Sequence, residues 1–193
     1  MDAGACGLES TLNYARKNGV RTIGAGMNLC EAQRPVILDE AGGIGLFSVG
    51  YQRACRAAGE TTPGCFSWSD LDSIKRTIDD IKKTCRWCVV VAHAGEEFTA
   101  LPSPYTRDRF HLYLDMGADI VVCHHPHVPM NYETRAKDNK VIFYSLGNFI
   151  FDTDYQRAHP YTDTGILLKL IFSEEKMEFD AVGIQIDRST ERI

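Results

Sequence analysis

The sequence predicts an α/β protein, and three observations carry that expectation. Two continuous apolar runs, WCVVVAH (87–93) and DIVVC (119–123), read as strands buried on both faces. One helical segment separates them, so they form an adjacent, parallel and right-handed βαβ pair. Towards the C-terminus the pattern changes to two long strand-like runs across SEEK (173–176), which predicts an antiparallel pair.

The elements follow in chain order. Gly7 to Lys17 places Leu8, Leu12 and Ala15 on one face and stops at Asn18-Gly19, which reads as a helix. VRTIGAG (20–26) reads as a short strand, and PVILDE (35–40) and GIGLFSVG (43–50) as a hairpin across Gly42-Gly43. Residues 52–68 lack periodicity and read as a long loop, a place where function often resides. In SDLDSIKRTIDDIKKTC, Leu71, Ile74, Ile78, Ile81 and Cys85 recur at steps of three and four, the clearest amphipathic helix in the chain. Ser103-Pro104 opens another helix, with serine as cap, and Gly117 closes it. VIFYSL (141–146) is a third buried strand, and GILLKLIF (165–172) with MEFDAVGIQI (177–186) is the C-terminal pair. A length of 193 residues fits a single domain over 1–193.

A net charge of −5 without any lysine or arginine run leaves no electrostatic footprint for nucleic acid. No apolar run approaches the ~18 residues of a transmembrane segment, and MDAGACGLES does not read as a secretory signal. The seven cysteines form no framework. Cys85-Arg-Trp-Cys88 has no companion motif and leads into a strand, so the cysteines read as reduced and structural.

The unusual residues fall at strand ends. His93-Ala94-Gly95-Glu96-Glu97 follows the first buried run and His124-His125-Pro126-His127 the second. Both therefore open on the carboxyl edge of the sheet, where ligands bind in α/β folds. His125 and His127, two apart on a chain that Pro126 holds extended, send their imidazoles to one side. That spacing suits zinc, manganese or iron, and His93 can add a third nitrogen. Glu96 or Glu97 can bind metal, orient a histidine or transfer protons. The plain alternative is a surface turn rich in histidine; three together beside a fourth favour metal. His111, in mid-helix, and His159, in a polar loop, read as structural or surface residues. In YSLGNFIFD (144–152) Gly147 permits close backbone approach and the Asn148 amide suits a metal or a phosphate oxygen. Asp152 and Asp154 lack diagnostic spacing, and Asp2 is a further candidate carboxylate for a two-metal site.

HAGEEF (93–98), the stretch from PSPYTRD to CHHPHV (102–128) and YSLGNFIFD resemble, in order and spacing, the poly-γ-glutamate capsule-synthesis proteins of the CapA type. DAGACGLESTL (2–12) and IGAGMNLCEAQRPVI (23–37) extend the similarity to nearly all of residues 2–188. Cys123 stands where that family has glycine before its histidines, and Ala94 where it has tryptophan. The family's G-D, N-L-E and N-N-H motifs, which precede the position of Asp2, are not in this chain.

The resemblance implies a metallophosphoesterase-like four-layer α/β/β/α sandwich, incomplete at the N-terminus, with apolar surface left bare and self-association expected. It implies two divalent ions (Mn, Fe or Zn) held by His93, His125, His127 and Asp2. His124 and Glu97 are then catalytic, and Asn148 and Gly147 bind substrate. Within the cluster, spacing favours His125 and His127, whereas the glycine position favours His124. The implied function is capsule biosynthesis with a metal-dependent phosphoesterase-like site. The alternative is a non-catalytic scaffold subunit of a polymer synthesis or export complex, and a third reading is a single-metal or redox module using Cys123. Implied partners are capsule-synthesis membrane proteins or the polymer itself, with a longer parent protein anchored in the membrane and facing the cell surface.

Overall fold

The structure, a computed structural model, describes residues 3–151 and 153–189; Asp2 and Asp152 lie outside them. In chain order the elements are α1 (Gly4–Lys17), β1 (Ala25–Gly26), α2 (Leu29–Ala32), β2 (Val36–Leu38), β3 (Ile44–Gly50), β4 (Gly64–Cys65) and α3 (Leu71–Thr84). Then come β5 (Trp87–His93), α4 (Pro104–Met116), β6 (Ile120–His124), β7 (Tyr132–Arg135), β8 (Lys140–Phe143), α5 (Asp154–Arg157), β9 (Thr164–Phe172) and β10 (Met177–Gln185). α3 and α4 both start at a side-chain cap, and for α4 it is the serine that the sequence predicts. Asp70 accepts from Ser73 N, and Ser103 from Thr106 N.

Six strands form one mixed sheet in the order β2-β3-β5-β6-β8-β7. β3, β5, β6 and β8 run parallel, while β2 and β7 close the two edges antiparallel. Alternation along each strand divides the apolar side chains between two faces. Cys88, Val90, Ala92, Val121 and Cys123 pack beneath α3 and α4, against Ile74, Ile78, Ile81, Phe110 and Leu114. Trp87, Val89, Ile120, Val122 and Phe143 face the other way, against Leu168, Leu170, Phe172, Met177 and Phe179 of the β9–β10 hairpin. The predicted α/β fold is thus present, with helix, sheet and hairpin layers stacked as α/β/β among the described residues. The outer face of the hairpin pairs Leu167 with Val182, and both are exposed together with Ile171.

Two polar ties lock the layers. Buried Asp119 accepts from Cys88 N at 2.8 Å and pairs with Lys82 Nζ at 2.9 Å, joining α3, β5 and the start of β6. Trp87 Nε1 donates to Ser173 O at 2.8 Å, joining the sheet to the hairpin turn. Cys85 and Cys88 are buried free thiols. Among the described residues no helix is long and apolar enough to cross a membrane.

Three local expectations differ from the structure. VRTIGAG is a strand only at Ala25–Gly26, paired with Gly64–Cys65; Val20 is exposed and the segment around it joins no ladder. The third buried strand ends at Phe143; Tyr144 N still donates to Asn131 O, but Leu146 pairs with Pro129 only as an isolated bridge while its N donates to Cys123 O. β7 escapes the sequence pattern, since YETR is a polar, half-exposed edge without an apolar face.

Candidate functional site

β5 and β6 end level, with His93 directly opposite His124 in the parallel ladder. Alternation puts His93 on the face of Trp87 and Val89, the hairpin side of the sheet. The His93 ring lies 5.1 Å from that of His124 and 4.7 Å from that of His125, between centroids. Beyond His124 the chain is not extended, which corrects the expectation built on Pro126. His125 has φ 127° and His127 has φ 63°. Such conformations cost of order 1–3 kcal/mol each and persist only where their surroundings hold them. Here Ala94 N donates to His124 O at 3.2 Å and Phe98 N to Pro126 O at 2.9 Å, tying the two strand-end loops together.

The tied loops bring Glu97, His125 and His127 together, one donor atom from each within 4.8 Å of the others. His125 Nε2 is 3.7 Å from Glu97 Oε1. Donors sharing an ion at about 2.1 Å sit roughly 3–4 Å apart, so small side-chain adjustments suffice for a divalent cation. Two imidazoles and one carboxylate suit zinc, iron or manganese. Glu96, its neighbour, is used elsewhere. Its carboxylate accepts from Ser103 N at 3.2 Å, Ser103 Oγ at 2.7 Å and Thr106 Oγ1 at 3.1 Å, at the start of α4.

His127 Nδ1 lies 2.9 Å from Asn148 Oδ1. Asn148 is only 5% exposed, and its Nδ2 donates to Thr162 O at 2.9 Å. A carbonyl can only accept, so the asparagine oxygen faces the histidine. His127 therefore donates from Nδ1, and its Nε2 lone pair is left for a cation. One lone pair of the Asn148 oxygen is thus taken by the ring. Gly147 has φ 70°, and a β-carbon there would lie 2.7 Å from Thr164 O and 2.9 Å from Pro129 Cδ. The position needs glycine for close backbone packing behind the site.

Burial, and then the neighbouring His124, His125 and His127, lower the His93 pKa to about 4. Burial also lowers His124 and His125, the latter partly offset by Glu97. These three rings are neutral near pH 7, the form in which imidazole binds metal or accepts a proton. Cys123 donates to Ala94 O at 3.1 Å, and burial pushes its thiol up to about 12. A protonated, buried thiol is a packing group, which argues against the reading that used Cys123 as a ligand or redox centre. The two positions where the chain departs from the family pattern therefore touch.

A wall of aromatic rings was not legible in the sequence. Phe98 stacks on His159, with centroids 3.8 Å apart and planes 5° from parallel, and also on His127 at 5.8 Å. Phe151 covers His127 at 5.2 Å. His159 thus belongs to the surroundings of the site, whereas His111 lies 3.1 Å from Glu133.

A family profile described as Bacterial capsule synthesis protein PGA_cap matches residues 1–153. PGA biosynthesis protein CapA of Bacillus subtilis (strain 168) is 31% identical over 193 residues, covering 98% of this chain and 49% of its own length. Capsule biosynthesis protein CapA of Bacillus anthracis is 32% identical over 163 residues, covering 81% of this chain and 39% of its own length. The chain therefore spans half or less of these relatives. A solved structure of a hypothetical protein from Thermus thermophilus superposes with a TM-score of 0.51 at 14% identity, over 78% of this chain and 61% of that one, a likeness of fold alone. The profile runs through both strand-end histidine motifs, and with the two relatives it shows that the chain belongs to the bacterial capsule synthesis protein family PGA_cap.

Proposed function

We propose that this chain acts in the biosynthesis of a poly-γ-glutamate-type capsule and carries a metal-dependent hydrolytic site of the phosphoesterase class. The names of its relatives support the first part. The second rests on one observation, the convergence of Glu97, His125 and His127 at the carboxyl edge of the sheet. In this reading those three residues hold one divalent ion (Mn, Fe or Zn), and His93, with Asp2, is available to a second. When bound, such an ion supplies a water acidic enough to yield hydroxide near neutral pH. The chain's own residues do the rest. Asn148 keeps the His127 Nε2 lone pair directed inward. His124, held neutral by burial, accepts a proton from the attacking water and returns it to the leaving group. The partners in this reading are the polymer and the membrane proteins that make or export it, with the protein anchored at the cell surface.

Metal analysis of the purified protein, followed by a panel of phosphomonoesters and phosphodiesters with added manganese, tests the proposal. Metal uptake that falls in His125→Ala and His127→Ala, with hydrolysis of one ester class, is the expected result. Unchanged metal content in both variants overturns the site. Metal uptake without hydrolysis by a protein of the relatives' length assigns the scaffold role instead.

A further inference from the structure

The loop between β3 and β4 carries two thiols that the histidine site does not use. Cys55 ends a helical turn in which its N donates to Tyr51 O at 2.8 Å, and Cys65 lies in β4. Two backbone bonds, Cys65 N to Arg56 O and Ala58 N to Cys65 O, both 2.8 Å, clamp these segments side by side. The side chains meet over Gly50, the last residue of β3. A β-carbon on Gly50 would lie 2.7 Å from Cys55 Sγ and 2.9 Å from Cys65 Sγ. Both sulfurs thus share one small volume above a residue with no side chain, and both cysteines are partly exposed. Cys85, Cys88 and Cys123, by contrast, are buried.

The contact also drives the acidities of the two thiols apart. A hydrogen bond from the Cys65 thiol lowers Cys55 to about 7, against the opposing effect of burial. The same contact pushes Cys65 upward. One sulfur is thereby prepared as a nucleophile and the other as the thiol that resolves it.

The pair also sits against the site wall. Gly50 is opposite His93 in the β3–β5 ladder, and Tyr51 N donates to His93 O at 2.9 Å. Tyr51, Arg53 and Ala54 line a cleft together with Glu97 and His125.

We propose that Cys55 and Cys65 form a reversible disulfide that closes the 55–65 loop over the end of β3, a redox modification site beside the histidine cluster and separate from its ligands. The oxidant is a low-molecular-weight disulfide. The Cys55 thiolate attacks one of its sulfurs, the S–S bond breaks, and one small thiol leaves. Cys65 then loses its proton to solvent and attacks Cys55 Sγ, forming the protein disulfide and expelling the second small thiol. Two cysteine thiols lose two electrons and two protons in all, and one small disulfide becomes two thiols.

The test is incubation of the protein with oxidised glutathione, alkylation of the remaining thiols, and tryptic mapping without reduction. Peptides 54–56 and 57–75 each contain one cysteine of the pair. They are expected joined, two hydrogens lighter than their sum, and separable by dithiothreitol. Cys65→Ser is expected to stop at a glutathione adduct on Cys55, and Cys55→Ser to carry ~10-fold less adduct at position 65. Alkylation of both Cys55 and Cys65 in the treated wild-type protein, or a lasting glutathione adduct on either, overturns the proposal. The wild-type map decides alone if a serine variant does not fold. No readout depends on metal or hydrolysis, so the result is independent of the proposed function.

Discussion

His127 Nδ1 and Asn148 Oδ1 are 2.9 Å apart, and the Thr162 carbonyl fixes the amide so that the asparagine is the acceptor. Asn148→Leu removes that acceptor and frees the ring to take the other tautomer. Zinc affinity, measured calorimetrically, is expected to fall 10- to 100-fold, the usual effect of losing a residue that orients a ligand. The unpaired Thr162 carbonyl adds a stability loss of about 1–3 kcal/mol, so both proteins are compared under conditions where circular dichroism shows them folded. Nitrogen-detected NMR of the metal-free protein gives an independent check: His127 in the Nδ1–H form for wild type only. Equal zinc affinities, or an Nε2–H wild-type ring, would sink the assignment.

The adjacent carboxylates Glu96 and Glu97 are expected to fail in opposite ways. Glu96 binds Ser103 and Thr106 at the positive end of α4, so Glu96→Gln costs about 1–2 kcal/mol of stability and leaves metal affinity near wild type. Glu97 is exposed and faces His125, so Glu97→Gln leaves the urea midpoint unchanged and weakens metal binding. The reverse pattern in paired urea and zinc titrations would show that the two roles are exchanged.

That difference also marks the limit of sequence reading. His93 and the 124–127 cluster were legible because two unbroken apolar runs place them at neighbouring strand ends, and α3 because its five apolar positions follow the helical period. Glu96 and Glu97 were not separable, since consecutive residues leave a loop in different directions that only its path decides. Asn148 carries a side chain that suits metal, phosphate or histidine equally, and its choice depends on a Thr162 carbonyl fourteen residues on. The left-handed turn at His125 runs against the local preference of a residue before proline, so local rules pointed away from it. The Phe98–His159 stack joins segments distant in the chain, and no periodicity encodes such a contact.

Acid is expected to weaken the metal-free fold. An unfolded histidine protonates near 6.5, whereas His93 in the fold stays neutral to about 4. Between those values the unfolded state binds the extra proton, so it gains at the expense of the fold. The contribution of His93 is therefore complete above about 6.5 and drains as pH falls through about 4. His124 and His125, lowered by burial, act in the same direction. Urea midpoints should fall steadily from about pH 7.5 to about pH 5, and His93→Gln should flatten part of that fall. A midpoint that stays level or rises with acid contradicts this account.

Trp87 is the joint between the sheet and the β9–β10 hairpin. It is 1% exposed, its ring lies 5.8 Å from that of Phe172, and its Nε1 donates to Ser173 O. Trp87→Phe keeps an aromatic ring against Phe172 but deletes the donor and leaves a partial cavity, at a combined cost of about 2–3 kcal/mol. Ile78→Ala, in α3 on the opposite side of the sheet, costs about 2–5 kcal/mol by cavity formation alone. The two residues belong to different core clusters that share only the sheet, so their costs should add within ~0.5 kcal/mol in the double variant. Their local signatures should differ: amide exchange in Trp87→Phe accelerates in β9 and β10 more than in α3, because the hairpin loses one of its polar ties, keeping Arg86 Nε to Glu174 O, while the helix layer keeps its own. Equal acceleration in hairpin and helix would mean that the sheet transmits the defect and that Trp87 does not specifically hold the hairpin.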